Sequence, residues 1–191
     1  SSAINLQAGG MQVARSSMVR DASGERRATM LFAPGMQVTA EMPGGMQVPM
    51  QNLHVRATEF TAGERGQAQM PATLPATSAY TYAAAFEVDE AVAMGAQTVR
   101  FNPPLPTYVE NFLRMPVGSI VPVGYYEEQQ GAWRASRNGR VVAITSVDGG
   151  IAQLDVSGDG MADEGEALTR LGISVAEGRE LARIYTAGQQ L

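Results

Sequence analysis

Polar and apolar residues alternate over short stretches in most of the chain. Leu53, Val55 and Ala57 alternate with polar residues, and Val121, Val123 and Tyr125 do so further on. A period of two is typical of β-strands that turn one face toward a core. Together with β-branched and aromatic content, it predicts strands at Ala28–Phe32, Gln37–Glu41, Leu53–Phe60, Ser78–Val88, Thr98–Phe101, Tyr108–Leu113, Ser119–Tyr126, Ala132–Ala135 and Arg140–Ser146.

Glycine turns separate these strands. The tripeptide Met-Gln-Val follows a glycine at Met11, Met36 and Met46, which suggests hairpin arms of similar shape. Ala33–Met36 and Met42–Met46 contain Pro followed by Gly, the order typical of a β-turn with Pro at its second position. Frequent Pro and Gly make long helices unfavourable before residue 160.

The helical pattern is confined to three short stretches. Val88–Gly95 predicts a short helix, and Glu164–Leu171 a second one that Gly172 ends. Ser174 and Glu177 form a capping box that starts a third, with Leu181, Ile184 and Tyr185 on one face and Gly188 as its end.

The fold class predicted from these patterns is mainly β. We expect an antiparallel β-sandwich of short strands, with a C-terminal calcium loop and two short helices. Four consecutive segments are predicted: residues 1–66 are β-rich, residues 67–77 connect, residues 78–150 are again β-rich, and residues 151–191 hold the loop and a helical hairpin.

Composition excludes several classes of function. The 191 residues carry a net charge of −5, contain 14 Arg and no Lys, and have no Cys. An acidic chain without a basic run argues against nucleic-acid binding, and the absence of Cys and Lys excludes disulfides, thiolate chemistry and Schiff bases. No apolar run is long enough for a transmembrane helix.

The run from Asp155 to Glu166 spaces oxygen ligands as a calcium loop does. Its positions 1, 3, 5, 9 and 12 carry oxygen side chains, and position 6 is Gly160. Ca²⁺ takes about six to eight oxygen ligands, including a backbone carbonyl at position 7 and a bidentate Glu at position 12. The predicted ligands are Asp155, Ser157, Asp159, the Met161 carbonyl, Asp163 and Glu166.

Two features depart from a paired EF-hand. Ser157 stands where Asp or Asn is usual, and the upstream stretch Ser146–Leu154 contains two adjacent glycines, which predict a turn and a short strand instead of an entering helix. The loop therefore resembles the single-helix calcium loops of dockerin-like modules. An acidic, Gly-rich surface turn is the alternative.

Several segments, in order, resemble the region that precedes the YD repeats of large bacterial RHS-repeat proteins. They are Leu74–Tyr82, Val88–Ala91, Val99–Leu113, Pro116–Gly118, Val121–Tyr126, Gly131–Trp133, Asn138–Val142 and the Asp155 loop. The resemblance covers roughly residues 26 to 190. It implies a secreted or cell-surface bacterial protein, with flanking domains of the same polypeptide as partners.

Catalytic alternatives have little support in the sequence. His54, the single histidine, lies on a predicted strand as an exposed cross-strand residue. The carboxylates Glu87, Asp89, Glu90 and Glu110 could form a glycosidase pair, but surface charge explains them more simply. Leu74–Ser78 matches a sortase signal only in part.

Exposed aromatic residues offer a second function. Tyr125, Tyr126 and Trp133 are the candidate ligand-binding residues in a wider aromatic set. We therefore expect a non-catalytic, calcium-stabilised structural module, with a carbohydrate- or protein-binding module for adhesion as the alternative.

Overall fold

A computed structural model describes residues 1–61, 68, 70–72 and 82–191. Of the described residues, 42% lie in strands and 13% in helices, which confirms a mainly β chain; the sandwich arrangement stays a prediction. The strands are β1 Ser2–Asn5, β2 Gln12–Arg15, β3 Val19–Asp21, β4 Gly24–Arg26, β5 Ala28–Phe32, β6 Gln37–Glu41, β7 Gln47–Met50, β8 Asn52–Glu59, β9 Ala84–Val88, β10 Thr98–Asn102, β11 Thr107–Val109, β12 Ile120–Val121, β13 Gly124–Glu127, β14 Ala132–Ala135, β15 Gly139–Arg140, β16 Ala143–Asp148 and β17 Ile151–Asp155. The helices are α1 Asp89–Ala93, α2 Glu166–Leu171 and α3 Val175–Ile184.

The chain divides into two compact units. Unit 1 comprises residues 1–20, 25–59 and 84–109, and unit 2 comprises residues 21–24, 60–83 and 110–191. The four consecutive segments expected from the sequence stay a prediction, and most of the expected connection at 67–77 lies outside the described residues.

Unit 1 contains three antiparallel three-stranded sheets, in the orders β1-β8-β9, β10-β6-β7 and β11-β5-β2. One face of β8 is buried as the alternation predicts, with Leu53 and Val55 in the core and His54 and Arg56 exposed. All five residues of β5 are buried. The core of the unit is formed by Ile4, Leu6, Ala14, Met30, Phe32, Met36, Val38, Ala40, Leu53, Val55, Val88 and Ala91.

The recurring Met-Gln-Val tripeptide marks strand starts in unit 1. Its Gln is the first residue of β2, β6 and β7. Both predicted Pro-Gly turns form: Met36 N–H donates to the Ala33 carbonyl at 3.2 Å, and Gly45 N–H donates to the Met42 carbonyl at 3.0 Å. The glycines after the prolines have positive φ, as such turns require.

Unit 2 is organised around the hairpin β16–β17, which turns at Gly149 and Gly150. The chain end adds to the other edge of β16. Val142 and Leu191 exchange two backbone hydrogen bonds of 2.9 Å, and Gly188 N–H donates to the Ile144 carbonyl at 2.7 Å. Residues 188–191 therefore lie beside the start of β16, with an isolated bridge between Ala143 and Gln190.

The predicted strand Ser119–Tyr126 is two strands in the structure. β12 ends at Val121 and β13 begins at Gly124, with Pro122 between them. Proline has no N–H to donate to a ladder, so it interrupts the pairing. The predicted strand Tyr108–Leu113 also ends early, at Val109, and the part of Ser78–Val88 before residue 82 lies outside the described residues.

The helices follow their sequence signals closely at their starts. In α3 the Ser174 hydroxyl accepts the Glu177 N–H at 3.2 Å, and Glu177 Oε2 accepts the Ser174 N–H at 2.9 Å, which confirms the capping box. The helix ends at Ile184, before Gly188. None of the helices in the described part of the chain is long and apolar enough to cross a membrane.

Candidate metal centre

Asp155, the last residue of β17, is the centre of the acidic loop. The residue is only 3% exposed. Oδ1 accepts the N–H groups of Ser157 at 3.1 Å and Gly158 at 2.6 Å, and Oδ2 accepts the N–H of Gly160 at 2.9 Å. The loop backbone thus wraps around the carboxylate at loop position 1.

Asp163, at loop position 9, meets Asp155 at a shared donor. Its Oδ2 accepts the N–H of Val156 at 2.8 Å and of Ser157 at 2.9 Å, and the same Ser157 N–H also reaches Asp155. The Asp163 N–H donates to the Leu154 carbonyl at 2.7 Å, which ties the end of the loop to β17. Two of the predicted ligands are therefore brought together.

Ser157 joins this pair through its hydroxyl, which donates to Asp155 Oδ1 at 3.4 Å, but the remaining predicted ligands do not. Asp159 Oδ1 accepts the Met161 N–H at 2.8 Å, within its own turn, and Met161 is exposed. Glu166 Oε1 faces Arg170, whose Nη2 lies 2.6 Å away on the surface of α2. In the present side-chain arrangement, the described residues contain no group of three or more acidic or histidine side chains that could hold a metal ion.

Hydrogen bonds to the carboxylate change the pKa of Asp155. Burial raises the pKa, but the backbone N–H groups of Gly158, Gly160 and Ser157 lower it, and the net pKa lies below the ordinary 3.8. N–H donors stabilise the charged form of a carboxylate. The loop therefore holds a negative charge that is nearly inaccessible to solvent.

Two glycines hold the loop against the turn at Pro116–Gly118. A Cβ on Gly158 would lie 2.3 Å from the Val117 carbonyl oxygen, and a Cβ on Gly118 would lie 2.3 Å from the Ser157 carbonyl oxygen. Both glycines also have positive φ. Only glycine allows this backbone-to-backbone contact, which the sequence pattern did not reveal.

An open cleft of about 500 Å³ lies next to the loop, within unit 2. Asp155 contributes to its lining, as do glycines of the loop and of the chain end. The lining residues are Val117, Ala143, Ile144, Thr145, Asp155, Gly158, Gly160, Gly188 and Gln190.

The predicted aromatic ligand residues lie on the hairpin β13–β14. Tyr126 and Trp133 are directly opposite and pack edge to face, with ring centroids 5.5 Å apart. Tyr125 is paired with Arg134. Because successive strand residues point to opposite faces, Tyr125 lies on the other face, and the three side chains do not form one patch.

The candidate catalytic residues of unit 1 form ion pairs. His54 Nδ1 lies 2.5 Å from Glu90 Oε1, and Arg56 contacts Asp89 at 2.6 Å and Glu87 at 3.7 Å. All these side chains are more than one third exposed. This arrangement is that of surface charge.

Sequence reasoning missed a buried ion pair in unit 1. Arg26 donates from Nε and Nη2 to Glu59 Oε1 at 2.8 and 2.7 Å, and the two side chains are only 2% and 4% exposed. Arg26 lies in a short polar strand and Glu59 at the end of the alternating β8. Neither residue differs by local pattern from a solvent-exposed one.

Comparison with family models, with curated proteins and with solved structures finds no match to this chain. The resemblance to the region before YD repeats therefore stays a prediction.

Proposed function

We propose that this chain is a non-catalytic structural module in which Ca²⁺ stabilises the loop of unit 2. Following the sequence resemblance, we place it in a secreted or cell-surface bacterial protein of the RHS-repeat type. The observation that carries the proposal is the convergence of Asp155 and Asp163 on one backbone N–H, in a loop with oxygen side chains at positions 1, 3, 5, 9 and 12.

Ion binding requires few changes in the loop. Asp155 and Asp163 already lie inside it, whereas Glu166 must leave Arg170 and turn inward. The Glu166 and Arg170 side chains are 78% and 74% exposed, and such exposed pairs contribute little to stability. Coordination of a divalent ion by several carboxylates is a far stronger interaction, so the surface pair does not prevent it.

Calcium would supply a counter-charge for a strongly acidic stretch. Five acidic residues lie within the twelve positions from Asp155 to Glu166. Their mutual repulsion opposes closure of the loop, and a bound cation removes it. Because the loop contacts the 116–118 turn and β17, its closure would stabilise unit 2.

Calorimetric titration of the purified chain with Ca²⁺ tests the proposal. We expect binding in the micromolar to millimolar range and a weaker response to Mg²⁺, which demands a more regular octahedral shell. Replacement of the ligand by Glu166→Gln should weaken binding at least about tenfold. The matched control is Glu164→Gln, an exposed acid in the same loop that occupies no ligand position.

Equal loss of affinity in both variants would show that only the net charge of the loop matters. Absence of any heat at millimolar Ca²⁺ would contradict calcium binding outright.

Adhesion through aromatic residues is the second candidate. It is supported by the edge-to-face pair Tyr126–Trp133, which is partly exposed on one face of β13–β14. Glycan-array binding that falls for Trp133→Ala, but not for Tyr125→Ala on the opposite face, would favour this function. Binding that is equally sensitive to both variants, or absent, would count against it.

A further inference from the structure

The start of β16 lies between β17 and the chain end, and all three line the cleft in unit 2. Ala143 pairs with Asp155 of β17 on one side and forms an isolated bridge with Gln190 on the other. Cross-strand neighbours project from the same face. A carboxylate and a carboxamide therefore flank a small alanine side chain.

The cleft is lined largely by backbone and small side chains. A Cβ on Gly160 or on Gly188 would meet no atom within 4 Å. The N–H groups of Gly160 and Gly188 already donate to Asp155 and to the Ile144 carbonyl, so these glycines offer a ligand their carbonyl oxygens. Thr145 and Gln190 also line the cleft; the Thr145 hydroxyl donates to the Gln153 carbonyl, and Gln190 Oε1 accepts from Asn111. The cleft therefore offers mainly acceptors, which suit a ligand that donates hydrogen bonds.

Asp155 is the single ionisable side chain in this lining. It is nearly buried, its charge is met by backbone N–H dipoles, and no Arg or His in the described part of the chain forms a salt bridge with it. These N–H groups stabilise the charge but do not cancel it, so a cation in the cleft is still attracted to it. The cleft thus favours a cation and has no counter-charge for an anion.

We propose that this cleft binds an organic cation, a guanidinium or primary ammonium group such as the side chain of an arginine or lysine. The volume of about 500 Å³ is in the range of small-molecule sites. This volume is larger than a single metal ion would occupy, since even a water molecule takes only about 30 Å³. The cationic group hydrogen-bonds to Asp155 and to neighbouring carbonyls.

This inference goes beyond the calcium proposal and does not depend on it. Both cations would use Asp155, so the test is carried out in EGTA, where calcium cannot compete. Calcium binding is measured separately, and either proposal can fail alone.

The test is an NMR titration of the full chain with N-acetyl-arginine methylamide. We expect saturable shifts of the Gly158, Gly160, Gly188 and Gln190 amide signals. N-acetyl-citrulline methylamide, which has nearly the same shape but no charge, should bind at least about tenfold more weakly because charge-assisted hydrogen bonds are roughly twice as strong as neutral ones. This comparison requires no change in the protein.

Two variants locate the site. Ala143→Leu places a larger side chain in the cleft. It should weaken binding at least about tenfold, because the leucine excludes the ligand. Glu164→Gln lowers the local charge without reaching the cleft and should change affinity less than about twofold. The folded state of each variant is checked by the dispersion of its amide signals.

Equal affinity for the arginine and citrulline compounds would overturn the proposal. Shifts confined to the acidic surface around Asp159 and Glu164 would also overturn it. So would the absence of shifts at about 50 mM ligand, because a specific site would be occupied at that concentration.

Discussion

The core of unit 1 and the acidic loop of unit 2 are held together by different interactions. In unit 1 apolar side chains such as Phe32 and Met30 are buried between strands. In the loop, the buried group is a carboxylate surrounded by backbone N–H donors, and two glycines leave no room for a Cβ beside the neighbouring carbonyls. Stability should therefore depend on side-chain volume in the first region and on backbone conformation and charge in the second.

The largest effect is expected in the apolar core. Phe32 is 1% exposed, and its ring packs edge to face with Phe101 at 6.2 Å. Phe32→Ala should lower the free energy of unfolding by about 3–5 kcal/mol because it removes apolar contacts and leaves a cavity. Urea denaturation measures the change. Phe86→Ala, at a half-exposed phenylalanine of the same unit, should cost much less, and equal losses would contradict this description of the core.

The next effect concerns the contact between the two glycines. Gly158→Ala combines positive φ with a clash at the Val117 carbonyl, and we expect a loss of about 3 kcal/mol. Gly150→Ala serves as a control, because its φ is also positive, +76°, but its Cβ would meet no atom within 4 Å. It should lose only about 1–2 kcal/mol. The difference in stability between the two variants, measured by thermal melting, gives the contribution of the close backbone contact. Equal melting curves would show that this contact does not contribute to stability.

Charge in the loop predicts a dependence on pH. Since the folded pKa of Asp155 lies below its ordinary 3.8, the carboxylate contributes stability above about pH 4 and loses it as pH falls through the folded pKa. Asp155→Asn should lower stability at neutral pH by about 1.5–3 kcal/mol and flatten the decline below pH 4. Denaturation at several pH values checks this. The exposed Asp148→Asn is the matched control and should cost less stability at neutral pH, and an unaltered decline in Asp155→Asn would contradict the stabilising role of its charge.

The smallest effect is expected at the surface pair beside the loop. Arg170→Gln should change stability by less than about 1 kcal/mol in EGTA. Its calcium affinity should rise slightly, because Glu166 no longer has to leave a partner. Scanning calorimetry in EGTA measures the change in stability, and titration calorimetry measures the change in calcium affinity. A fall in affinity would indicate that Arg170 supports calcium binding.

Local patterns predicted much of the secondary structure. The bounds of β5, β6 and β14 agree with the expectation to the residue, because alternation and turn residues there act within a few positions. The capping box of α3 is equally local. The break at Pro122 could have been read from the missing N–H of proline, but the alternation across it was the stronger signal.

For the candidate metal centre, the sequence predicted the spacing of oxygen ligands along the loop but not the directions of their side chains. Spacing predicted that Asp155 and Asp163 lie close together, but it did not predict that Glu166 faces Arg170. The backbone contact at Gly118 and Gly158 joins residues 40 positions apart in the sequence. The Arg26–Glu59 ion pair joins residues 33 positions apart. Such contacts are set by tertiary packing, which no local pattern encodes.

Hydrogen exchange with and without calcium shows whether the ion closes the loop of unit 2. If Ca²⁺ closes the loop, amide exchange should slow in peptides that cover residues 151–171, and peptides that cover β5 and β6 in unit 1 should be unchanged. EGTA should reverse the effect, and Glu166→Gln should abolish most of it. Identical exchange of the loop in calcium and in EGTA would contradict the account.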